Sequence, residues 1–162
     1  MCMMALIATV APAAERDFHG RQLRVAAKLE DVELTEATVL LYSLDPKGGI
    51  GYKVNTEDVF HGFRVLGRAP IAKVEDKGAL VAAFARGIRE SDGIVSACFN
   101  PRHGIRLIYR KRTFDFVICF ECLSVMTYGF NEDRGFLTTD SPSAIFDEFV
   151  RKFHLKRSEK NG

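Results

Sequence analysis

The chain of 162 residues contains no tryptophan and only five prolines, and its net charge is just +2. So small a charge selects no class of partner. Nucleic-acid binding would need a more basic domain and a recognisable module, and neither is present. No apolar run is long enough to cross a bilayer as a helix. The glycine-rich stretch 46–60 (PKGGIGYKVNTEDVF) lacks the spacing of a phosphate-binding or dinucleotide loop, and no helical pattern follows it. It reads as a flexible connection. Repeats, low-complexity segments and a second domain are also missing. What remains is 47% hydrophobic and 27% charged, ordinary for one globular domain with a real core. Thirteen phenylalanines make that core aromatic.

Residues 1–14 (MCMMALIATVAPAA) form an apolar run ending in small residues, and Ala11-Pro12-Ala13 resembles a signal-peptidase site. The basic segment that should precede such a run is absent, so it reads as a truncated signal peptide. A single domain over 15–155 and a loose charged tail over 156–162 follow. Cys2 has no preceding lipobox. This reading places the protein in the periplasm or outside the cell; without a leader it would be cytoplasmic. Removal of the leader keeps Cys98, Cys119 and Cys122, an odd number. That allows one disulfide with a free thiol, or a three-thiolate set.

Residues 15–36 fit a helix through Leu23, Ala26, Ala27 and Leu29 and a strand through Leu23, Val25, Ala27 and Leu29. A β-branched and aromatic run from Ala37 to Leu44 predicts a strand, and 61–74 a second, bent at Gly67 or Pro70. A helix is expected over 77–90, capped by Asp76, buried along Leu80, Phe84, Gly87 and Ile88, and stopped at Gly93. A strand over 94–99 leads into a hairpin, 104–110 with 113–120. The long strand continues through 124–128, turns at 131–135 and returns as FLTT. Ser141 as cap and Pro142 at the first position open a last helix over 142–154. The order predicts an α+β fold: a single antiparallel sheet with about two helices packed on one face.

In the hairpin, a tight turn at Lys111–Arg112 would pair Ile105 with Ile118, Leu107 with Phe116 and Tyr109 with Phe114 on a wholly apolar face. The mixed face would pair Gly104 with Cys119, Arg106 with Val117, Ile108 with Asp115 and Arg110 with Thr113. A one-residue slip would destroy that sorting. The turn itself is weak, because Lys-Arg lacks the Gly or Asn such loops prefer.

CFNPRHGIR, followed by ICFEC and then TTDSP before a terminal helix, resembles a family of small uncharacterised bacterial proteins. Its members usually look exported, start with a fuller leader and recur in planctomycete-like genomes. LYSLDP and FHGFRVLG resemble the family's earlier landmarks, so the likeness spans roughly 38–155. The family carries no established activity. The resemblance implies that Cys98, Arg102, His103, Cys119 and Cys122 belong to one recurrent constellation, and it carries over no catalytic residue.

A disulfide is the leading reading of the cysteines. Loop closure over 99–103 brings Cys122 nearest to Cys98, so the expected bridge is Cys98–Cys122, with Cys119 a free thiol across the strand. Three buried reduced cysteines are the bland alternative. A sharper one is zinc on Cys98, His103, Cys119 and Cys122, although a regular strand points Cys119 and Cys122 to opposite faces. Thiol–disulfide catalysis is weaker, since redox CxxC pairs favour a helix N-terminus and Glu121 opposes a thiolate. No cofactor is expected unless zinc is held. Arg102, Arg106, Arg110, Lys111 and Arg112 make the hairpin basic. They read first as a solvated tip, and second as contacts for an acidic polymer or a membrane surface. The whole suggests an exported, non-enzymatic binding or structural domain.

Overall fold

The computed structural model describes residues 13–48, 58–130 and 135–158. Most of the expected leader, most of the glycine-rich stretch and most of the 131–135 turn lie outside them. Ala13 and Ala14 open a helix, α1, over Ala13–Glu30. That settles the ambiguous segment in favour of the 3.6-residue period: Gln22, Ala26 and Leu29 are buried while Leu23 and Ala27 are exposed.

The strands are β1 (Thr38–Asp45), β2 (Val59–Phe60), β3 (Phe63–Ile71), β4 (His103–Tyr109), β5 (Arg112–Cys119), β6 (Ser124–Tyr128) and β7 (Phe136–Leu137). They form one curled antiparallel sheet in the order β2-β3-β1-β4-β5-β6-β7. Helix α2 (Val74–Arg89) links β3 to β4, and α3 (Ser143–Lys152) follows β7. The α+β expectation holds, with three α-helices among the described residues in place of about two. All three contribute to the main core, where Leu29, Leu80, Phe84, Ile88, Phe146 and Val150 meet Leu41, Ile105, Leu107, Phe116 and Ile118.

Several boundaries differ from expectation, each for a local reason. Helix α2 starts three residues early, with Lys73 at its N-cap position and no side-chain cap. Asp76 does not cap it; both its carboxylate oxygens accept from Lys152 Nζ at 2.7 Å, tying α2 to α3. At α3 the N-cap position falls on Pro142, and Ser141 Oγ bonds Thr139 Oγ1 at 2.9 Å instead of capping. The expected second strand, 61–74, forms as β3 from Phe63 to Ile71, while His61 and Gly62, both at positive φ, make the turn that joins it to β2. The expected strand over 94–99 does not form. Ile94 and Val95 lie in a loop, 61% and 54% exposed, so strand propensity found no partner edge.

The central hairpin keeps its faces and changes its partners. The turn falls on Arg110–Lys111, both at positive φ, so Tyr109 faces Arg112. Ile105 pairs with Phe116, Leu107 with Phe114, Arg106 with Asp115 and Gly104 with Val117. Each partner has moved by two residues, which preserves alternation and leaves Leu107 and Phe116 buried under the helices. Gly104 makes room for Phe60, not for Cys119: a Cβ there would stand 2.8 Å from Phe60 Cε1. Phe60 stacks on Tyr42 on the sheet's other face, where a smaller core also gathers Leu44, Phe63 and Val117.

Candidate functional site

Strand β5 ends at Cys119, because residues 120–123 form a tight turn with Leu123 in the left-handed region at φ 55°. Cys119 faces Ser124 across this turn, and the chain folds Cys122 back toward it, with the Cα atoms 5.2 Å apart. Their sulfurs stand at disulfide distance. The premise that put them on opposite faces, an unbroken strand through 119–122, is therefore wrong here. Cys119 is not free and does not face Gly104.

Cys98 is nonetheless close, as its position before the 99–103 bend implied. Its Sγ lies 3.1 Å from Cys122 Sγ, and the Asn100 N–H donates to the same Cys122 sulfur at 3.4 Å. The Cys122 N–H donates to Cys119 Sγ at 3.1 Å. A further bond, Ser96 N–H to the Cys122 carbonyl at 3.2 Å, holds the 94–102 loop against the turn. Cys119 and Cys122 are 1% and 0% exposed, whereas Cys98 is exposed.

His103 does not join the sulfurs. Its Nε2–H donates to Asp147 Oδ1 of α3 at 3.2 Å, and its ring meets Phe146 edge-on. The bond from His103 holds the Asp147 carboxyl below its ordinary range despite partial burial, with help from Arg157, whose Nη2 reaches Oδ2 at 2.6 Å. Among the described residues no group of three or more His, Cys, Asp or Glu side chains is arranged to hold a metal ion. The proposed Cys98, His103, Cys119, Cys122 ligand set is thus not assembled.

Beside the sulfurs lies a cleft of about 330 Å³, lined among others by Arg102, His103, Glu121, Asp140, Asp147 and Arg157. Arg102 Nε donates to Glu121 Oε1 at 3.2 Å, and its Nη1 to Ser158 Oγ at 2.7 Å. The Lys156 carbonyl accepts from Ser43 Oγ at 2.7 Å. Arg157 and Ser158, expected within a loose tail, therefore help to wall the cleft, and Lys156 anchors them to β1.

The five basic residues do not make one patch. Arg102 is at the cleft, and Arg106 on the mixed face gives Asp115 two bonds of 2.8 and 2.7 Å. Only Arg110, Lys111 and Arg112 share the exposed hairpin tip. No helix among the described residues is long and apolar enough to cross a membrane.

One constellation escaped the sequence reading. The His61 Nε2–H donates to the buried Asp115 Oδ2 at 2.6 Å, and its ring stacks on Tyr128 with centroids 3.6 Å apart. Burial pushes the Asp115 carboxyl up, but bonds from Arg106 and His61 outweigh it and hold the group below its ordinary value. The available signal was His61-Gly62 between Phe60 and Phe63, a two-residue turn at the start of the strand expected over 61–74.

The chain matches no family model, and no curated protein or solved structure is significantly similar to it.

Proposed function

We propose that this chain is a small exported domain of binding or structural type, in which an oxidised Cys119–Cys122 bridge fixes the turn that walls the cleft. The observation that carries this reading is the pair of buried sulfurs at disulfide distance. Residues 120–123 (FECL) contain no Gly, Pro or Asn to favour a turn, so a covalent tie supplies what their chemistry lacks. Disulfides persist in oxidising compartments, which agrees with a periplasmic or secreted protein and with the apolar run at residues 1–14. The recurrent CFxPRHG and ICFEC segments of the family it resembles contribute the same elements, the loop and the turn. A cleft carrying guanidinium groups and carboxylates together suits a small polar ligand with charges of both signs.

Mass spectrometry of a non-reduced digest, on chain recovered from the cell envelope or medium of a native host, tests the reading. A peptide with Cys119 and Cys122 bridged is expected; all thiols reduced in that fraction would overturn it. Reduction should lower unfolding stability by about 2 kcal/mol, the loop-entropy value for so short a ring.

A further inference from the structure

We propose that Cys98 is the attacking thiol of a thiol–disulfide exchange site, through which the buried bridge becomes available to thiols outside the protein. The proposal rests on the bridge being oxidised as above, and it adds an activity that a purely structural disulfide lacks. Three sulfurs in contact, one exposed and two buried, are the observation behind it: Cys98 Sγ is 3.1 Å from Cys122 Sγ, which is itself at bonding distance from Cys119 Sγ.

In the first step the Cys98 thiolate attacks Cys122 Sγ. A Cys98–Cys122 bond forms as the Cys119–Cys122 bond breaks, and Cys119 departs as a thiolate that takes up the proton Cys98 lost. Nothing is oxidised or reduced overall, so no oxidant is required. The surroundings favour the departing group: the Cys122 N–H already donates to Cys119 Sγ, and such a bond strengthens as the sulfur gains charge. The Asn100 N–H does the same for the central sulfur. Glu121 would oppose a thiolate, but Arg102 is paired with it. The Ser96 bond to the Cys122 carbonyl keeps the attacking loop in place, and that loop has no strand or helix to break when Cys98 moves.

Burial gives the exchange its use. An external thiol cannot reach Cys119 or Cys122, which are 1% and 0% exposed. Once the bridge is Cys98–Cys122, one of its sulfurs belongs to the exposed loop. An external thiol then attacks Cys98 Sγ, forming a mixed disulfide and releasing Cys122 as a thiolate. A second molecule of that thiol displaces Cys98 and leaves as the symmetrical disulfide. Two thiols are oxidised, and the protein retains three cysteines in reduced form. The substrate class is thus a small or protein-borne thiol.

The test uses the full chain carrying Cys2→Ser, equilibrated in a glutathione buffer, acid-quenched, alkylated and digested without reduction. Two populations are expected: Cys119–Cys122 with label on Cys98, and Cys98–Cys122 with label on Cys119. Their interconversion should accelerate about tenfold per pH unit below the thiol pKa. In Cys119→Ser the Cys98–Cys122 bridge should form. In Cys98→Ser the native bridge should persist, and glutathione should reduce it at least about tenfold more slowly. Label confined to Cys98 at every pH, with Cys119–Cys122 intact, would overturn the exchange and leave the structural bridge standing. So would equal reduction rates in Cys98→Ser and the parent, or a folded Cys119→Ser that forms no bridge. Three labelled thiols in the same oxidising buffer would overturn the bridge itself, a different failure with a different readout.

Discussion

Asp115 is the residue whose replacement tells most about the second face of the sheet. It is buried and accepts from Arg106 twice and from His61 once. Asp115→Asn removes the charge that Arg106 faces, and should cost about 3 kcal/mol in urea unfolding, the low end for a broken buried pair because the Arg106 side chain is partly exposed. The pH dependence has a definite sign. Asp115 and Asp147 both titrate below their ordinary value in the folded chain. Their contribution is therefore complete above about pH 5, where unfolded carboxyls are ionised, and is lost as pH falls through the depressed native values. Urea midpoints measured from pH 7 to pH 2 should drop only at the acid end, and Asp115→Asn should flatten that drop. Gly87 offers a contest of magnitudes. Alanine would favour α2 by about 1 kcal/mol, but its Cβ would stand 2.5 Å from Pro142 Cγ and 2.7 Å from Thr138 Oγ1. A bond of 2.9 Å from the Thr139 N–H to the Gly87 carbonyl leaves little room to retreat. Overpacking costs roughly 1–3 kcal/mol, so Gly87→Ala should lower the thermal midpoint.

Among the elements, the β4–β5 hairpin carries a cost in its turn. Arg110 and Lys111 both sit in the left-handed region, at φ 48° and 62°, which Asn and Gly tolerate far better. Replacing the pair by Asn-Gly should stabilise the protein by about 1–2 kcal/mol without changing the register, checked by thermal unfolding. The same turn explains how much of this element was legible. Alternation along GIRLIYR and TFDFVICF fixed which residues face the helices, and that survived. Nothing in Arg110-Lys111-Arg112 distinguishes one two-residue loop from its neighbour, so the partners were displaced by two. The turn after Cys119 was hidden for a related reason: Phe120-Glu121-Cys122-Leu123 has strand-like propensity and no turn residue. The proximity of Cys98 to Cys122 was legible, because it needed only the short bend over 99–103. Which cysteine stands at disulfide distance from Cys122 was not, because it depended on where the strand ends. His103 paired with Asp147 could not be read from the sequence, since 44 residues separate them.

At the scale of the whole molecule, a few polar contacts between distant segments hold the layers together. Buried Gln22 of α1 donates to the Ile88 carbonyl at 2.6 Å and accepts from the Leu137 N–H at 3.2 Å, joining α1, the end of α2 and β7. Gln22→Met keeps the shape and removes both bonds, leaving two backbone groups unpaired. It should cost about 1–3 kcal/mol, and amide exchange at Leu137 should quicken. The segment after α3 is a second such tie. Leu155 packs on β3, where a Cβ on Gly67 would meet its Cβ at 3.2 Å; Lys156 receives Ser43 of β1, and Ser158 receives Arg102 beside the cleft. A ribosome makes the chain from its amino end, so β1, β3 and β4 emerge long before the residues that finish this wall. The cleft consequently lacks one side until residue 158 has emerged, because Arg157 and Ser158 line it.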